Sequence, residues 1–103
     1  MAYRYSAFLV NPRRTTVQKR SRVTITIDIL EATLKPQKKM RIMYHANLNY
    51  VRFNRYLADF LNKGFIEPIK DDEGNGCYVI TQKGKDLLVV LKRANELGYS
   101  DEE

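Results

Sequence analysis

The sequence predicts an α+β fold with three helices, a two-stranded β hairpin and a further helix after the hairpin. Apolar residues recur at helical spacing in residues 22–35, 38–45 and 50–63. Two short apolar runs then flank a loop rich in Asp, Gly and Asn, and a leucine-rich segment follows Thr81. The chain has 103 residues, of which 44% are hydrophobic, so it can build one packed core.

The first helix comes from an ambiguous pattern, RVTITIDILEATLK. Its apolar residues at first alternate with polar ones, as in a strand. The set Val23, Ile27, Leu30 and Leu34 nevertheless keeps helical spacing. Good helix formers fill the second half and Pro36 stops the pattern, so a helix over residues 22–35 is the better interpretation.

The stretch IMYHANLNYVRF interrupts a helical pattern for only a few residues. Asn47 can adopt the left-handed conformation that ends a helix, and Leu48 can fill the corner that follows. Asn49 can cap the next helix by accepting from its first backbone N–H groups. Two helices would therefore meet across about three or four residues, the length of a helix-turn-helix connection.

The second of these helices, residues 50–63, is strongly amphipathic and ends at Gly64. Its apolar face carries Phe53, Leu57, Phe60 and Leu61. The opposite face near the start carries the candidates for reading base edges in a major groove: Val51, Arg52, Asn54 and Arg55. Any surface helix has a charged outer face, so the value of this signal lies in its position directly after the turn.

Residues 65–70 and 77–80 are predicted to pair as a hairpin through the loop DDEGNG. Thr81 would cap the last helix, which is apolar nearly all round. One small core cannot cover so much apolar surface. A second copy of the chain is the simplest cover for the rest, although the N-terminal segment could also fold over it. The candidate dimer-interface residues are Leu87, Val90, Leu91 and Ala94.

The net charge of +6 is distributed unevenly along the chain. Residues 1–63 hold 13 Lys and Arg against three acidic residues, whereas residues 64–103 hold five against nine. Residues 1–20 form a basic arm interleaved with aromatics, residues 21–98 the folded domain and residues 99–103 an acidic tail. The arm suits phosphate contact and base stacking, or it packs on its own domain or a partner subunit. The candidate phosphate-binding residues are Arg13, Arg14, Lys19, Arg20, Arg22, Lys38, Lys39, Arg41 and Tyr50.

Little in the sequence indicates catalysis, a metal, another cofactor or a small-molecule ligand. Cys77 and His45 are the only residues of their types, and no glycine-rich phosphate loop is present. Cys77 is expected to be a small apolar residue in a strand. No apolar run is long enough for a signal peptide or a membrane span, so we expect a soluble cytoplasmic protein. Because catalytic motifs are lacking, we do not expect an enzyme.

The segments IMYHANLNY, LADFLNKGFIE and YVITQKGKDLL resemble segments of the small archaeal winged-helix DNA-binding proteins. These proteins are a family of predicted transcriptional regulators and chromatin-type proteins. The resemblance covers residues 21–97. It implies a homodimer that binds double-stranded DNA, with residues 50–63 in the major groove and the hairpin as the wing. In that family the final helix supplies the dimer interface.

One departure from that pattern lies in the wing, whose loop carries Asp71, Asp72 and Glu73 where phosphates favour Arg or Lys. We therefore expect the wing to stand off the DNA backbone and the basic arm to supply phosphate contacts. The working hypothesis is a sequence-specific transcriptional regulator. The alternatives are a non-specific chromatin-type coating protein and a winged-helix module that binds RNA or another protein.

Overall fold

The computed structural model describes residues 20–99, which contain four helices and two strands. The helices are α1 (Arg22–Ala32), α2 (Lys39–Ala46), α3 (Tyr50–Lys63) and α4 (Gln82–Glu96). The strands β1 (Ile66–Lys70) and β2 (Gly76–Ile80) form an antiparallel hairpin between α3 and α4. This arrangement confirms the expected α+β fold. The basic arm up to Lys19 and the acidic residues after Tyr99 lie outside the described residues.

Helix α1 lies at the centre of the domain and packs against both α2 and α4. Its position between two helices explains why both the strand-like and the helix-like apolar residues are buried. Ser21 caps α1 by accepting from the N–H of Thr24 at 3.1 Å. Lys92 of α4 adds an ion pair to Glu31 at 2.9 Å.

Helix α1 ends three residues earlier than the sequence pattern predicts, and Leu34 is half exposed instead of continuing the apolar face. The cause lies at Thr33, which is fully buried. Its hydroxyl donates back to the carbonyls of Ile29 and Leu30, and its own carbonyl accepts from Ile80. The chain is therefore drawn away from the helix axis and toward β2.

The segment between α1 and α2 continues along β2 in an extended conformation. Gln37 and Tyr78 exchange two backbone hydrogen bonds of 2.9 and 2.8 Å. The backbone N–H and carbonyl of Tyr78 therefore both point toward Gln37 and away from β1. Pro68 lies opposite Tyr78 in β1, so it does not have to donate a hydrogen bond to β2. Proline is thus accommodated within the strand.

The start of α4 lies very close to the start of β1. A Cβ atom built on Gly84 would collide with the Phe65 carbonyl oxygen and come within 2.7 Å of the Ile80 side chain. The Thr81 hydroxyl accepts from the Gly84 N–H and contacts the carbonyls of Gly64 and Phe65. One side chain therefore ties together the end of α3, the entrance to β1 and the first turn of α4.

The core draws on every helix and both strands and is centred on Phe53, Ile25, Ile29, Leu30 and Ile42. Cys77 is 5% exposed within β2, as expected for a small apolar residue. Within residues 20–99 no helix is long and apolar enough to cross a membrane.

Candidate nucleic-acid interface

The junction between α2 and α3 is formed by Asn47, Leu48 and Asn49. Asn47 takes the left-handed conformation with φ 54° and ψ 49°, and its N–H donates to Tyr44 at 3.1 Å. The N–H of Leu48 donates to Met43, which completes the closure of α2, and the Leu48 side chain is 8% exposed. Asparagine tolerates this backbone region better than most residues, so the local sequence determines where α2 ends.

Asn49 starts α3 in the way that its position predicts. Its side-chain oxygen accepts from the N–H of Arg52 at 2.8 Å, and its carbonyl accepts from Phe53 at 2.9 Å. Phe53 is fully buried, so the first turn of α3 is held both by the cap and by the core. The predicted helix-turn-helix is therefore confirmed, with residues 47–49 as its turn.

Arg20 braces this turn from the entrance of α1. Its guanidinium donates to Asp28 at 3.1 Å and to the main-chain oxygen of Asn47 at 3.0 Å. Partial burial raises the pKa of Asp28, an effect that the charges of Arg20 and His45 only partly offset and that Glu31 increases. The sequence predicts Arg20 as a phosphate anchor; here its guanidinium is engaged inside the domain.

The outer surface of α2 carries the positive charge expected of it. Lys38 and Arg41 are exposed, and the ammonium of Lys39 lies 5.2 Å from the centroid of the Tyr50 ring. This cation–π contact joins α2 to the first residue of α3. The structure thus brings together two of the residues predicted to bind phosphates, Lys39 and Tyr50.

The predicted base-reading residues surround the solvent side of α3. Val51 is 59% exposed and Arg55 is also exposed. Arg52 and Asn54 are partly buried on the two flanks of this face, consistent with their angular positions on the helix. The opposite side holds Phe53, Leu57 and Phe60 in the core. Helix α3 therefore presents the four side chains outward in its first two turns.

Arg52 and Arg55 also line a groove of about 820 Å³ between α1, α3 and α4, here called the α1–α3–α4 groove. Its apolar lining includes Val23, Phe60, Leu87 and Leu91. Its charged lining consists of Arg22, Arg52, Arg55, Asp59 and Lys63, and Tyr99 also lines it. Two residues with a predicted role in base reading thus share a surface with Arg22.

The wing ends in an acidic loop, as the sequence predicts. The Asp71 carboxylate accepts from the N–H groups of Glu73 at 2.9 Å and Asn75 at 2.8 Å. These hydrogen bonds, the one from Asn75 above all, lower the pKa of Asp71. The carboxylate of Asp71 is therefore a structural part of the turn, which Gly74 completes with φ 86°.

The predicted dimer-interface residues form one continuous stripe on α4. Leu87 and Leu91 are half buried at the α1–α3–α4 groove, Ala94 is half buried further along, and Val90 is 63% exposed. Leu97 continues the stripe and is 69% exposed. The part of this surface that the domain itself leaves uncovered is therefore apolar.

Of the other residues predicted to bind phosphates, one lies beside the α1–α3–α4 groove and three lie outside the residues that the structure describes. Arg22 is exposed beside the α1–α3–α4 groove, whereas Arg13, Arg14 and Lys19 fall in the undescribed residues. Tyr44, for which the sequence predicts no role, is 70% exposed on α2. Its position three residues after Arg41 places both side chains on one exposed face of α2.

The side chains of residues 20–99 form no group of three or more His, Cys, Asp or Glu that could hold a metal ion. Asp71, Asp72 and Glu73 are adjacent in sequence, but the Asp71 oxygen already accepts two backbone N–H groups. The chemistry of the site is therefore that of guanidinium, ammonium, amide and phenol groups. These groups suit the recognition of phosphates and base edges.

Comparison with known proteins gives consistent results. Residues 19–98 match a family model described as winged helix-turn-helix. The uncharacterized protein MJ0290 of Methanocaldococcus jannaschii is 36% identical over 84 residues, which is 81% of this chain and 37% of that protein. MJ0287 of the same organism, also uncharacterized, is 32% identical over 88 residues, 84% of this chain and 86% of that protein. The chain therefore spans little more than a third of MJ0290 and most of MJ0287.

A solved structure has a similar fold. It is the crystal structure of Sso10a-2, a DNA-binding protein from Sulfolobus solfataricus. The two chains superimpose with a TM-score of 0.68 at 27% sequence identity, over 76% of this chain and 81% of that one.

Proposed function

The chain belongs to the winged helix-turn-helix family, and we propose that it binds double-stranded DNA as a homodimer and regulates transcription. The DNA-binding description of Sso10a-2 supports the choice of partner. The archaeal source of the relatives and of this structural neighbour agrees with the resemblance that the sequence itself suggests.

The observation that carries the proposal is the outward face of α3. Asn47 ends α2 and Asn49 caps α3, so Val51, Arg52 and Arg55 lie on the outward side at the start of a helix whose other side is packed in the core. A helix fits the major groove, and arginine can form paired hydrogen bonds with guanine. Asn54 adds the side-chain type that pairs in the same way with adenine. These four residues are therefore proposed to read sequence.

Cations around α3 are proposed to hold the DNA backbone. Lys38, Lys39 and Arg41 surround the start of α2, and Tyr50 shares the contact with Lys39. Arg22 and the basic residues of the arm, Arg13, Arg14 and Lys19, extend this set, and Arg20 contributes mainly by supporting the turn. Contacts of this kind fix the position of a protein on the duplex without selecting a sequence.

The stripe on α4 supports a homodimer. Leu87, Val90, Ala94 and Leu97 follow one another at intervals of three, four and three residues, the spacing of a coiled-coil seam. Val90 and Leu97 are largely exposed within one copy, so a second copy would cover apolar surface that faces water here. A two-fold dimer would place the two α3 helices about 34 Å apart, one turn of duplex, and would favour a palindromic site.

The test is selection from a random-sequence duplex library at two salt concentrations, followed by measurement of the affinity ratio between the best sequence and the bulk. A recovered palindrome that binds at least about a thousandfold more tightly than bulk DNA would support a specific regulator. The dependence of affinity on salt would count the phosphates that are neutralised, at about 0.9 per phosphate.

Three other outcomes would redirect the assignment. Salt-dependent binding without an enriched sequence would mean a non-specific coating protein. Preference for single-stranded RNA in a competition would mean an RNA-binding module, in which the tyrosines of the basic arm could stack on bases. Absence of nucleic-acid binding would leave a protein partner as the remaining function of the exposed face of α3.

A further inference from the structure

The α1–α3–α4 groove combines an apolar lining with an excess of positive charge. Asp59 is its one acidic residue among those that the structure describes, and the ammonium of Lys63 lies 3.2 Å from the Asp59 carboxylate. This pair contributes no net charge. Arg22, Arg52 and Arg55 therefore make the groove positive, and an occupant with carboxylates would match it.

The chain carries such a group of carboxylates immediately after the groove. Tyr99 lines the groove, and the next residues are Ser100, Asp101, Glu102 and Glu103. Four residues of extended chain span at most about 14 Å. Tyr99, Arg52 and Arg55 line the same groove, so residues 100–103 follow directly on a residue of the surface that carries these guanidiniums.

The basic arm is a poorer match for the same groove. Residues 1–20 contain arginines and lysine but no acidic residue, so they would add positive charge to a positive surface. Charge complementarity therefore selects the acidic segment, residues 100–103, as the occupant.

We propose that residues 100–103 dock in the α1–α3–α4 groove through Arg52 and Arg55 and so compete with DNA for these two side chains. The inference rests on the proposed function, because Arg52 and Arg55 are also the proposed base readers. Guanidinium groups bind carboxylates and phosphates by the same geometry, so one arginine cannot serve both at once. The acidic segment thereby acts as an internal competitor that lowers the affinity for every duplex whose binding needs these two side chains.

The test compares three full-length proteins. In the tail variant, Asp101→Asn, Glu102→Gln and Glu103→Gln remove three negative charges next to the groove. In the matched control, Glu67→Gln, Asp72→Asn and Glu73→Gln remove three exposed negative charges from the wing, so both variants gain the same net charge. Nitrogen–proton NMR signals of the Arg52 and Arg55 side chains report docking directly, and duplex affinity at low salt reports competition.

The expected result is that the arginine signals shift in the tail variant and not in the control. Duplex affinity should rise about fivefold to tenfold more in the tail variant, the gain for a segment docked about 80–90% of the time. Equal gains in both variants would reduce the effect to net charge and overturn the competition. If the arginine signals were the same in the tail variant and the unchanged protein but shifted with protein concentration, a second copy would occupy the groove.

Failure of the proposed function has a separate signature. If none of the three proteins binds duplex DNA, the competition fails together with the DNA-binding proposal. The arginine signals would then still decide whether the acidic segment occupies the groove, since that measurement contains no DNA.

Discussion

The guanidinium of Arg20 donates a hydrogen bond to the main-chain oxygen of Asn47, 3.0 Å away. The same guanidinium lies 3.1 Å from Asp28 in α1. A residue that precedes the first helix therefore holds the turn that positions α3. The orientation of the proposed reading helix depends on this contact as well as on the core.

Replacing Arg20 should reveal this structural role. Arg20→Gln should lower the free energy of unfolding by about 1 kcal/mol, since it removes a partly exposed ion pair and a charged hydrogen bond. Urea denaturation measures the change, and Arg22→Gln, an exposed neighbour, is the matched control. If Arg20 is instead mainly a phosphate anchor, unfolding will be unchanged and the salt dependence of DNA binding will fall by about one phosphate.

Gly84 should tolerate no side chain. Gly84→Ala places a methyl group against the Phe65 carbonyl and Ile80, so the start of α4 must move away from the hairpin. We expect a loss of about 1–3 kcal/mol in the free energy of unfolding. Gly76→Ala is the control, because no atom lies within 4 Å of its added Cβ. Comparable losses in the two variants would show that helix and strand propensities matter more than the close approach.

The two shifted carboxyl groups should respond to acid in opposite ways. The pKa of Asp28 lies above its ordinary value of 3.8, mainly because of burial, so its ionised form disfavours folding and its protonation stabilises the domain as the pH falls through the raised pKa. The pKa of Asp71 lies below 3.8, so its contribution is present above that value and is lost as the pH falls through the lowered pKa.

An NMR titration of the carboxyl carbons measures both values. We expect a midpoint above 3.8 for Asp28 and below 3.8 for Asp71. Asp28→Asn should remove the stabilisation of the domain at acid pH while leaving the Asp71 titration unchanged. A lowered pKa at Asp28 would mean that the charge of Arg20 outweighs burial.

Substitutions of a proposed base-contacting residue and of a proposed phosphate-contacting residue should have different effects on DNA binding. Arg55→Gln should cost about 1–3 kcal/mol on the best sequence and less on other sequences, because a base contact is lost. Lys39→Gln should weaken all sequences alike and reduce the salt dependence by about one phosphate. Lys85→Gln, which changes an exposed lysine on α4 outside the lining of the α1–α3–α4 groove, is the control. Identical behaviour of the first two variants would make Arg55 a phosphate contact.

A charge introduced into the apolar stripe of α4 should weaken the proposed dimer more than a charge introduced on another side of the helix. Val90→Glu introduces a charge into the apolar stripe and should weaken the dimer at least about tenfold, measured by sedimentation. Val89 is the matched control, because it is as exposed as Val90, at 69% against 63%, but points away from the stripe. If Val89→Glu had the larger effect, a different face of α4 would form the interface.

Local chemistry explains most of what the sequence could predict. Asn47, Asn49, Gly64 and Thr81 end or begin helices through bonds to their own neighbours, so their positions are visible in the sequence. The apolar spacing of α3 likewise places Phe53 inside without knowledge of any partner. The helix-turn-helix and the residues on its surface could therefore be predicted before the fold was known.

Features that depend on distant residues could not be predicted in this way. Helix α1 ends at Ala32 because Thr33 bonds to Ile80, 47 positions later in the chain. The bridge from Gln37 to Tyr78 and the brace from Arg20 to Asn47 are of the same kind. The α1–α3–α4 groove exists only once three helices have packed, so sequence reasoning identified Arg52 and Arg55 but not their shared surface with Arg22.

The proline in β1 also governs how copies of this protein can associate. The backbone of Pro68 would face the outer edge of the hairpin, because Tyr78 opposite it bonds to Gln37 on the other side. At the centre of a strand of five residues, this edge therefore lacks a donor with which an approaching chain could pair. This edge of the sheet is therefore protected from growing by strand addition at its centre.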